Sequence, residues 1–166
     1  MIKKNYIKIL LDILIVIIIF LIDRITKIYI LKIAELEKAV DIYLTENLNL
    51  YLIWNKGIAF GLFSFNDQII YNLITLVILS IIIIILIMTI KSNGFKKYSL
   101  ISILGGSIGN LFDRVYFMAV PDFIDLHIKN FHWFIFNVAD IFITLGVICL
   151  IYAEIFFNKG KNEKFI

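Results

Sequence analysis

The stretch "IFNVADIFITLGVICLIYAEIFF", residues 135–157, is apolar enough to cross a bilayer, yet it contains Asn137 and Asp140 near its start. An ionised carboxylate at membrane depth is costly unless it is paired, so such residues usually face the interior of a helix bundle. The sequence has no basic residue within one helical turn of Asp140. Its partner must therefore come from another part of the fold, and a second carboxylate is among the candidates.

The composition of the whole chain places it in the membrane class. Its 166 residues are 61% hydrophobic and 17% charged, and the mean hydropathy is +0.96, which lies outside the range of soluble domains. One proline and eight glycines provide no linker, so we expect a single integral membrane domain over residues 1–166. The lysines are dispersed among loops and tails, which argues against a nucleic-acid partner. The lone Cys149 excludes a disulfide framework.

Four segments have the length and apolar character of membrane-spanning helices, since a ~30 Å hydrocarbon layer requires about twenty helical residues. They are residues 9–31, 69–90, 99–117 and 133–157. Lysines at both termini and between the second and third segments fall on one side, which the positive-inside rule makes cytoplasmic. Both termini are therefore expected inside, with the connections 32–68 and 118–132 outside.

The longer outer connection has a strand pattern. Asn47 to Leu52 alternate polar and apolar, and Asn55-Lys56-Gly57 supplies turn chemistry before a second apolar run. This pattern predicts a β-hairpin within about residues 41–65. The expected fold is an all-α membrane protein, a four-transmembrane-helix bundle with a small extracytoplasmic β-hairpin or sheet element.

Polar side chains gather near the outer ends of the predicted helices. Asp23 and Lys27 are spaced i, i+4 on the first helix, and two further helices each have a polar stripe at helical spacing. The stripes are Ser107, Asn110 and Arg114 on the third helix, with Asp113 beside them, and Asn137, Asp140 and Thr144 on the fourth. A four-helix bundle can bring them together in a pocket below the outer surface. Taken singly, the same residues also fit helix-end ion pairs, snorkelling side chains and an asparagine cap.

Two patterns imitate other kinds of site. "GGSIG", residues 105–109, matches a serine nucleophile elbow, but it lies inside an apolar helical segment, so we interpret its glycines as a helix-packing face. His127 and His132 lie near two aspartates, Asp122 and Asp125. The spacing of these residues fits no standard zinc pattern, so we expect no metal and no cofactor.

Five short motifs occur in a fixed order along the chain. They are "DRITK" (23–27), "NKGIAFG" (55–61), "GGSIGNLFDR" (105–114), "VPDFID" (120–125) and "FNVAD" (136–140). Each alone is weak, but the order, the spacing and the common side of the membrane make the set specific. From about residue 23 to residue 146 the chain resembles lipoprotein signal peptidase, the type II signal peptidase family of bacterial four-helix membrane aspartyl proteases.

The resemblance implies a catalytic pair, Asp122 in "PDF" and Asp140 in "NVAD". It also implies a surrounding substrate-binding site made of Asp23, Lys27, Asn55, Gly57, Asn110, Asp113, Arg114 and Asn137. Two positions depart from the family pattern. Arg24 stands where a neutral amide residue is frequent, and Pro121 stands where a β-branched residue is common, which could tilt the neighbouring Asp122.

The activity that the resemblance implies is removal of the signal peptide from prolipoproteins, with cleavage just before a diacylglyceryl-modified cysteine. Acyl chains hold that bond at membrane depth, so an embedded enzyme avoids moving the lipid into water. The implied location is the bacterial inner (cytoplasmic) membrane with the active site toward its outer face. The expected partners are the prolipoprotein and membrane lipid, and we expect a monomer.

The expected mechanism uses two neighbouring carboxyl groups that share one proton, because both cannot ionise cheaply. The ionised member deprotonates an attacking water while the protonated member hydrogen-bonds the scissile carbonyl oxygen. The alternative is a small four-helix proton-coupled or ion-coupled transporter or channel subunit, in which Asp23, Asp113 and Asp140 relay ions. Against it, the acids cluster at one face, and Asp12 is the exception near the inner end of the first helix.

Overall fold

The computed structural model describes residues 2–57, 68–129 and 131–157. In these ranges it confirms a mostly helical architecture with a small antiparallel sheet. In chain order the elements are α1 (Ile2–Glu37), β1 (Asp41–Thr45), β2 (Leu48–Asn55), α2 (Gln68–Lys91), α3 (Gly94–Phe117), β3 (Val120–Ile128), β4 (Phe131–Phe136) and α4 (Val138–Phe157).

Two of the helices are long and apolar enough to cross a membrane by length and composition. These are α2, and α4 over Val138–Phe156. All four helices present large apolar side chains at the surface of the molecule, among them Ile13, Ile84, Val115 and Ile148. Such continuous apolar surface is unusual for a soluble monomer and suits contact with lipid.

The bundle is organised around α3, which packs against α1, α2 and α4. Its glycines allow the close approach, which confirms the packing interpretation of "GGSIG". A Cβ atom on Gly109 would lie 2.6 Å from Asp23 Oδ2 of α1, and a Cβ atom on Gly106 would lie 2.4 Å from the Ala139 carbonyl oxygen of α4. The backbones of three helices therefore meet where the polar residues are located.

The sheet has four antiparallel strands in the order β1-β2-β3-β4. A hairpin is present in the predicted region, but its turn lies at residues 46–47, between β1 and β2. Asn55, which was predicted to begin the turn, is instead the last residue of β2. Residues 58–67, which include the rest of the predicted hairpin, lie outside the described residues. A cluster of Ile30, Val40 and Phe123 packs the C-terminal part of α1 against the sheet.

Residues 118–132 were predicted only as a connection between two helices, but the structure forms strands β3 and β4 in this region. The first residues of β3, from Val120 to Phe123, are all buried, so the strand lacks the polar and apolar alternation of a half-exposed strand. Pro121 cannot donate a backbone hydrogen bond, and the pairing of β2 with β3 is irregular nearby, between Leu50 and Ile53. Because β4 occupies 131–136, α4 begins at Val138, five residues later than predicted.

Candidate active site

Asp122 is placed by β3 at the junction of the sheet and the bundle. Helix α3 ends at Phe117, and Met118 adopts a left-handed conformation (φ 57°) that turns the chain back into β3. The carboxyl group of Asp122 is 1% exposed. Asn55 Nδ2 donates to its Oδ2 at 2.8 Å, and Asn137 Nδ2 donates to its Oδ1 at 2.6 Å. Both carboxyl oxygens are thus held by amide groups from other elements.

Asp140 lies in the first turn of α4 and forms a reciprocal cap with Asn137. Asn137 Oδ1 accepts from the Asp140 backbone N–H at 3.1 Å, and Asp140 Oδ2 accepts from the Asn137 backbone N–H at 3.1 Å. Asn110 Nδ2 of α3 donates to the other oxygen, Asp140 Oδ1, at 2.8 Å. A carboxylate in this position also gains from the positive end of the helix dipole.

Asn137 connects the two aspartates, since its amide nitrogen binds Asp122 and its amide oxygen binds the backbone of Asp140. Both acids line one cavity of about 320 Å³. The other polar residues along this cavity are Asn55, Ser107, Asn110, Arg114, Asn137 and Thr144. The remaining wall is aliphatic and includes Ile78, Ile143 and Val147. The predicted stripes of α3 and α4 therefore face the same space.

The electrostatics of the cavity raise the pKa of Asp122 from 3.8 to about 7. Burial is the main cause, because it disfavours the charged form, and the negative charge of Asp140 adds to it. Hydrogen bonds from Asn55 and Asn137 act in the opposite direction. Near neutral pH this carboxyl can therefore hold or release a proton.

Behind the cavity, Asp23, Lys27 and Asp113 form a fully buried ion network. Lys27 Nζ lies 2.9 Å from Asp23 Oδ1 and 2.7 Å from Asp113 Oδ2. Its third contact is a hydrogen bond of 2.9 Å to Asn110 Oδ1. This bond holds the amide oxygen of Asn110, so the amide nitrogen of Asn110 is directed at Asp140.

Arg24 completes the network with a second cation. Its Nη1 lies 2.6 Å from Asp113 Oδ1 and its Nη2 lies 3.1 Å from Asp23 Oδ2. The guanidinium also lies 4.9 Å from the centre of the Phe112 ring, in a cation–π contact. With Lys27, the network therefore contains two cations and two carboxylates. From the sequence alone Arg24 was noted only as a departure from the family pattern.

Arg114 joins α3 to the end of β2. Its side chain donates from Nη2 to the Gly57 carbonyl oxygen, while the Gly57 N–H donates to Asn55 Oδ1 at 2.8 Å. Its Nη1 is buried and has no hydrogen-bond partner among residues 2–57, 68–129 and 131–157. Tyr71 of α2 donates its hydroxyl to the Arg114 carbonyl oxygen at 3.1 Å. Arg114 thus ties the end of β2 to α3, and Tyr71 ties α2 to the same residue.

The predicted site residues separate into two sets. Those at the cavity are Asn55, Asn110, Arg114, Asp122, Asn137 and Asp140, with Gly57 bound to Arg114. Those enclosed behind it are Asp23, Lys27 and Asp113. Sequence reasoning missed the contribution of Tyr71, which has no distinguishing signal in its apolar helix. The pairing of Arg24 with Asp113 was also missed, because the two residues are far apart in the chain.

Comparison with known proteins gives consistent results. The family model described as Signal peptidase (SPase) II matches residues 15–156. A lipoprotein signal peptidase of Pelagibacter ubique (strain HTCC1062) is 56% identical over 163 residues, which cover 98% of each chain. One of Anaplasma phagocytophilum (strain HZ) is 42% identical, covering 80% of this chain and 84% of the relative. A bacterial membrane enzyme solved by the in meso method at 2.3 Å resolution superposes with a TM-score of 0.74 at 30% identity, covering 93% of both chains.

Proposed function

The chain belongs to the signal peptidase II family, and on that premise we propose that it removes signal peptides from prolipoproteins as an aspartyl endopeptidase. The catalytic pair is Asp122 and Asp140. The observation that supports this assignment best is the position of Asn137, which binds both acids where they line one cavity. Two carboxyl groups held in this way suit activation of a water molecule.

The substrate is a prolipoprotein whose cysteine already bears a diacylglyceryl group, and the bond cleaved lies just before that cysteine. The aliphatic wall of the cavity and the apolar helix surfaces support a lipid-anchored substrate. The four helices span the inner membrane, both termini are cytoplasmic, and the sheet lies at the outer face. The chain acts as a single membrane unit and as a monomer.

In the proposed mechanism Asp122 carries the shared proton at rest. Burial and the negative charge of Asp140 raise the pKa of Asp122 to about 7, so this carboxyl can hold the proton near neutral pH. Asp140 takes a proton from water as the water oxygen attacks the scissile carbonyl carbon, and Asp122 gives its proton to the carbonyl oxygen. Asp140 then protonates the leaving nitrogen, the C–N bond breaks, and a hydroxyl proton of the intermediate returns to Asp122.

The surrounding residues have two proposed roles. Arg114 uses Nη1, which has no hydrogen-bond partner among the described residues, to bind a backbone or ester oxygen of the substrate. Lys27, Asp23 and Asp113 position the acids from behind, since these side chains are fully buried and Lys27 orients Asn110. Ion transport is not favoured, because two of the three carboxylates that would relay ions, Asp23 and Asp113, are paired with cations.

The test of the function uses the purified full chain in detergent or lipid with a diacylglyceryl-modified precursor, scored for release of the signal peptide. We expect Asp122→Asn and Asp140→Asn each to lower turnover by about a thousandfold or more, because neither amide can act as acid or base. Asp41→Asn, at an exposed position of β1, is the control and should keep normal turnover. An Asp140→Asn enzyme with near-normal turnover would refute the catalytic pair.

A further inference from the structure

Two histidines and one aspartate converge on the β3–β4 pair, outside the cavity of about 320 Å³. Asp125 and His127 are two residues apart on β3, so they share a face of the sheet. His132 on β4 is the cross-strand partner of His127. One ligand atom from each of the three side chains lies within 4.8 Å of the other two. Strand pairing therefore creates a cluster that the linear spacing does not reveal.

The contacts inside this cluster leave one buried imidazole nitrogen, His127 Nδ1, without a hydrogen bond within the described residues. Asp125 is 2% exposed, and its ion-pair partners among the described residues are the two imidazoles. His132 Nδ1 lies 2.8 Å from Asp125 Oδ2, and His127 Nδ1 lies 3.5 Å from the same atom. The His127 side chain is 10% exposed, and its Nδ1 has no hydrogen-bond partner in the part of the chain that the structure describes. Burying an unpaired polar nitrogen beside a carboxylate is unfavourable.

We propose that Asp125, His127 and His132 bind a divalent transition-metal ion of the zinc class. Two imidazole nitrogens and one carboxylate oxygen are donors that zinc prefers, and three protein ligands leave a coordination position for water. Calcium and magnesium are poor candidates because they favour all-oxygen sites. Metal–ligand distances of ~2.0–2.2 Å place tetrahedral donors ~3.4 Å apart, so small side-chain rotations suffice here.

The bound ion would satisfy the unpartnered nitrogen of His127 and neutralise the charge of Asp125. The side chain of His132 is 56% exposed, which provides a path for entry of the ion. The ion would also link β3 to β4, and β4 leads directly into Asn137 and α4. Metal binding should therefore stabilise the strand pair that holds Asp122, and this inference does not depend on the proposed function.

The test is zinc binding by the purified, tag-free full chain after treatment with a chelator. Calorimetry should detect one equivalent of Zn²⁺, and Co²⁺ should give the visible absorption bands of a low-symmetry site. His132→Gln is the principal variant, because this side chain is 56% exposed and a glutamine amide can still donate a hydrogen bond to Asp125. It should weaken zinc binding by about tenfold or more and abolish the zinc-dependent rise in melting temperature. Asp41→Asn should bind zinc as the unaltered chain does.

Three results would overturn the proposal. The first is the absence of saturable one-to-one binding by the unaltered chain. The second is equal zinc affinity in His132→Gln, with both proteins folded as judged by their melting temperatures in chelator. The third is loss of zinc binding in Asp122→Asn together with its retention in His132→Gln, which would place the ion at the two cavity acids instead.

Discussion

At the residue scale, Asp122 and Asp140 differ in their surroundings although they line the same cavity. Asp140 belongs to the first turn of a helix and accepts one hydrogen bond from the Asn137 backbone N–H and one from the Asn110 side chain. Asp122 belongs to a buried strand and accepts from two side-chain amides. Each carboxyl group is thus fixed by two hydrogen bonds, and Asn137 contributes one to each.

The pH dependence of activity follows from the raised pKa of Asp122. Below about pH 7 this carboxyl keeps its proton, and above it the proton is lost, so the pair no longer contains an acid. We expect kcat/KM for signal-peptide release to fall as the pH rises through about 7. Asn55→Ala removes a hydrogen bond that lowers this pKa, so the decline should move to higher pH. Initial rates between about pH 5 and pH 9 measure both effects. A profile without any decline in this range contradicts the assignment of Asp122 as the acid.

At the element scale, the first turn of α4 carries Asp140 and contacts both α1 and α3. Besides the cap formed by Asn137, the Ala139 N–H donates to Asp23 Oδ1 of α1 at 3.1 Å. The turn is thus bonded to α1 and packed against Gly106 of α3. A shift of α4 relative to α3 would move Asp140 away from Asn110.

Gly106→Ala tests this packing. The added methyl would lie 2.4 Å from the Ala139 carbonyl oxygen, and a backbone atom cannot yield without displacing α4. We expect a loss of about 1–3 kcal/mol in the free energy of unfolding, larger than the helix-propensity gain of about 1 kcal/mol, and a loss of activity. Gly105→Ala is the matched comparison, because its methyl would meet only the Ile19 side chain at 2.9 Å. Thermal melting in detergent should rank Gly106→Ala below Gly105→Ala, and the reverse order would contradict the close backbone packing.

At the scale of the whole molecule, the proposed arrangement puts the sheet and the cavity at the outer face and the α2–α3 turn in the cytoplasm. The sheet and the α2–α3 turn lie at opposite ends of α3, which runs from Gly94 to Phe117. Its 24 residues span about 36 Å at ~1.5 Å per residue, slightly more than the ~30 Å thickness of the hydrocarbon layer. This length is consistent with the proposed topology, in which the two ends of α3 lie at opposite surfaces of the membrane.

Cysteine labelling tests this orientation. In a Cys149→Ser background, Tyr43→Cys on β1 should react with a membrane-impermeant thiol reagent in intact spheroplasts, since this side chain is 67% exposed. Asn93→Cys, in the α2–α3 turn, should react only after permeabilisation. Asn93 makes no side-chain capping hydrogen bond, so its replacement should leave α3 unchanged. Labelling of Asn93→Cys from outside would contradict the proposed topology.

Part of the site could be predicted because its residues follow local patterns. The i, i+3 and i, i+7 spacing on α3 and α4 depends only on the helical period, and the structure brings both stripes to one cavity. The bond from Asn110 to Asp140 and the ion pair between Arg24 and Asp113 join residues that are distant in the chain. No spacing rule relates such residues, so their contacts could not be predicted.

The sequence by itself determined the membrane class, the helical bundle and the gathering of polar residues near one end. Composition, helical period and lysine distribution are local properties that can be counted along the chain. Only the tertiary structure decided that residues 118–136 form two strands, that Asn137 joins Asp122 to Asp140, and that Asp125, His127 and His132 meet. Strand register and helix contact set these features, and both depend on packing between segments far apart in the chain.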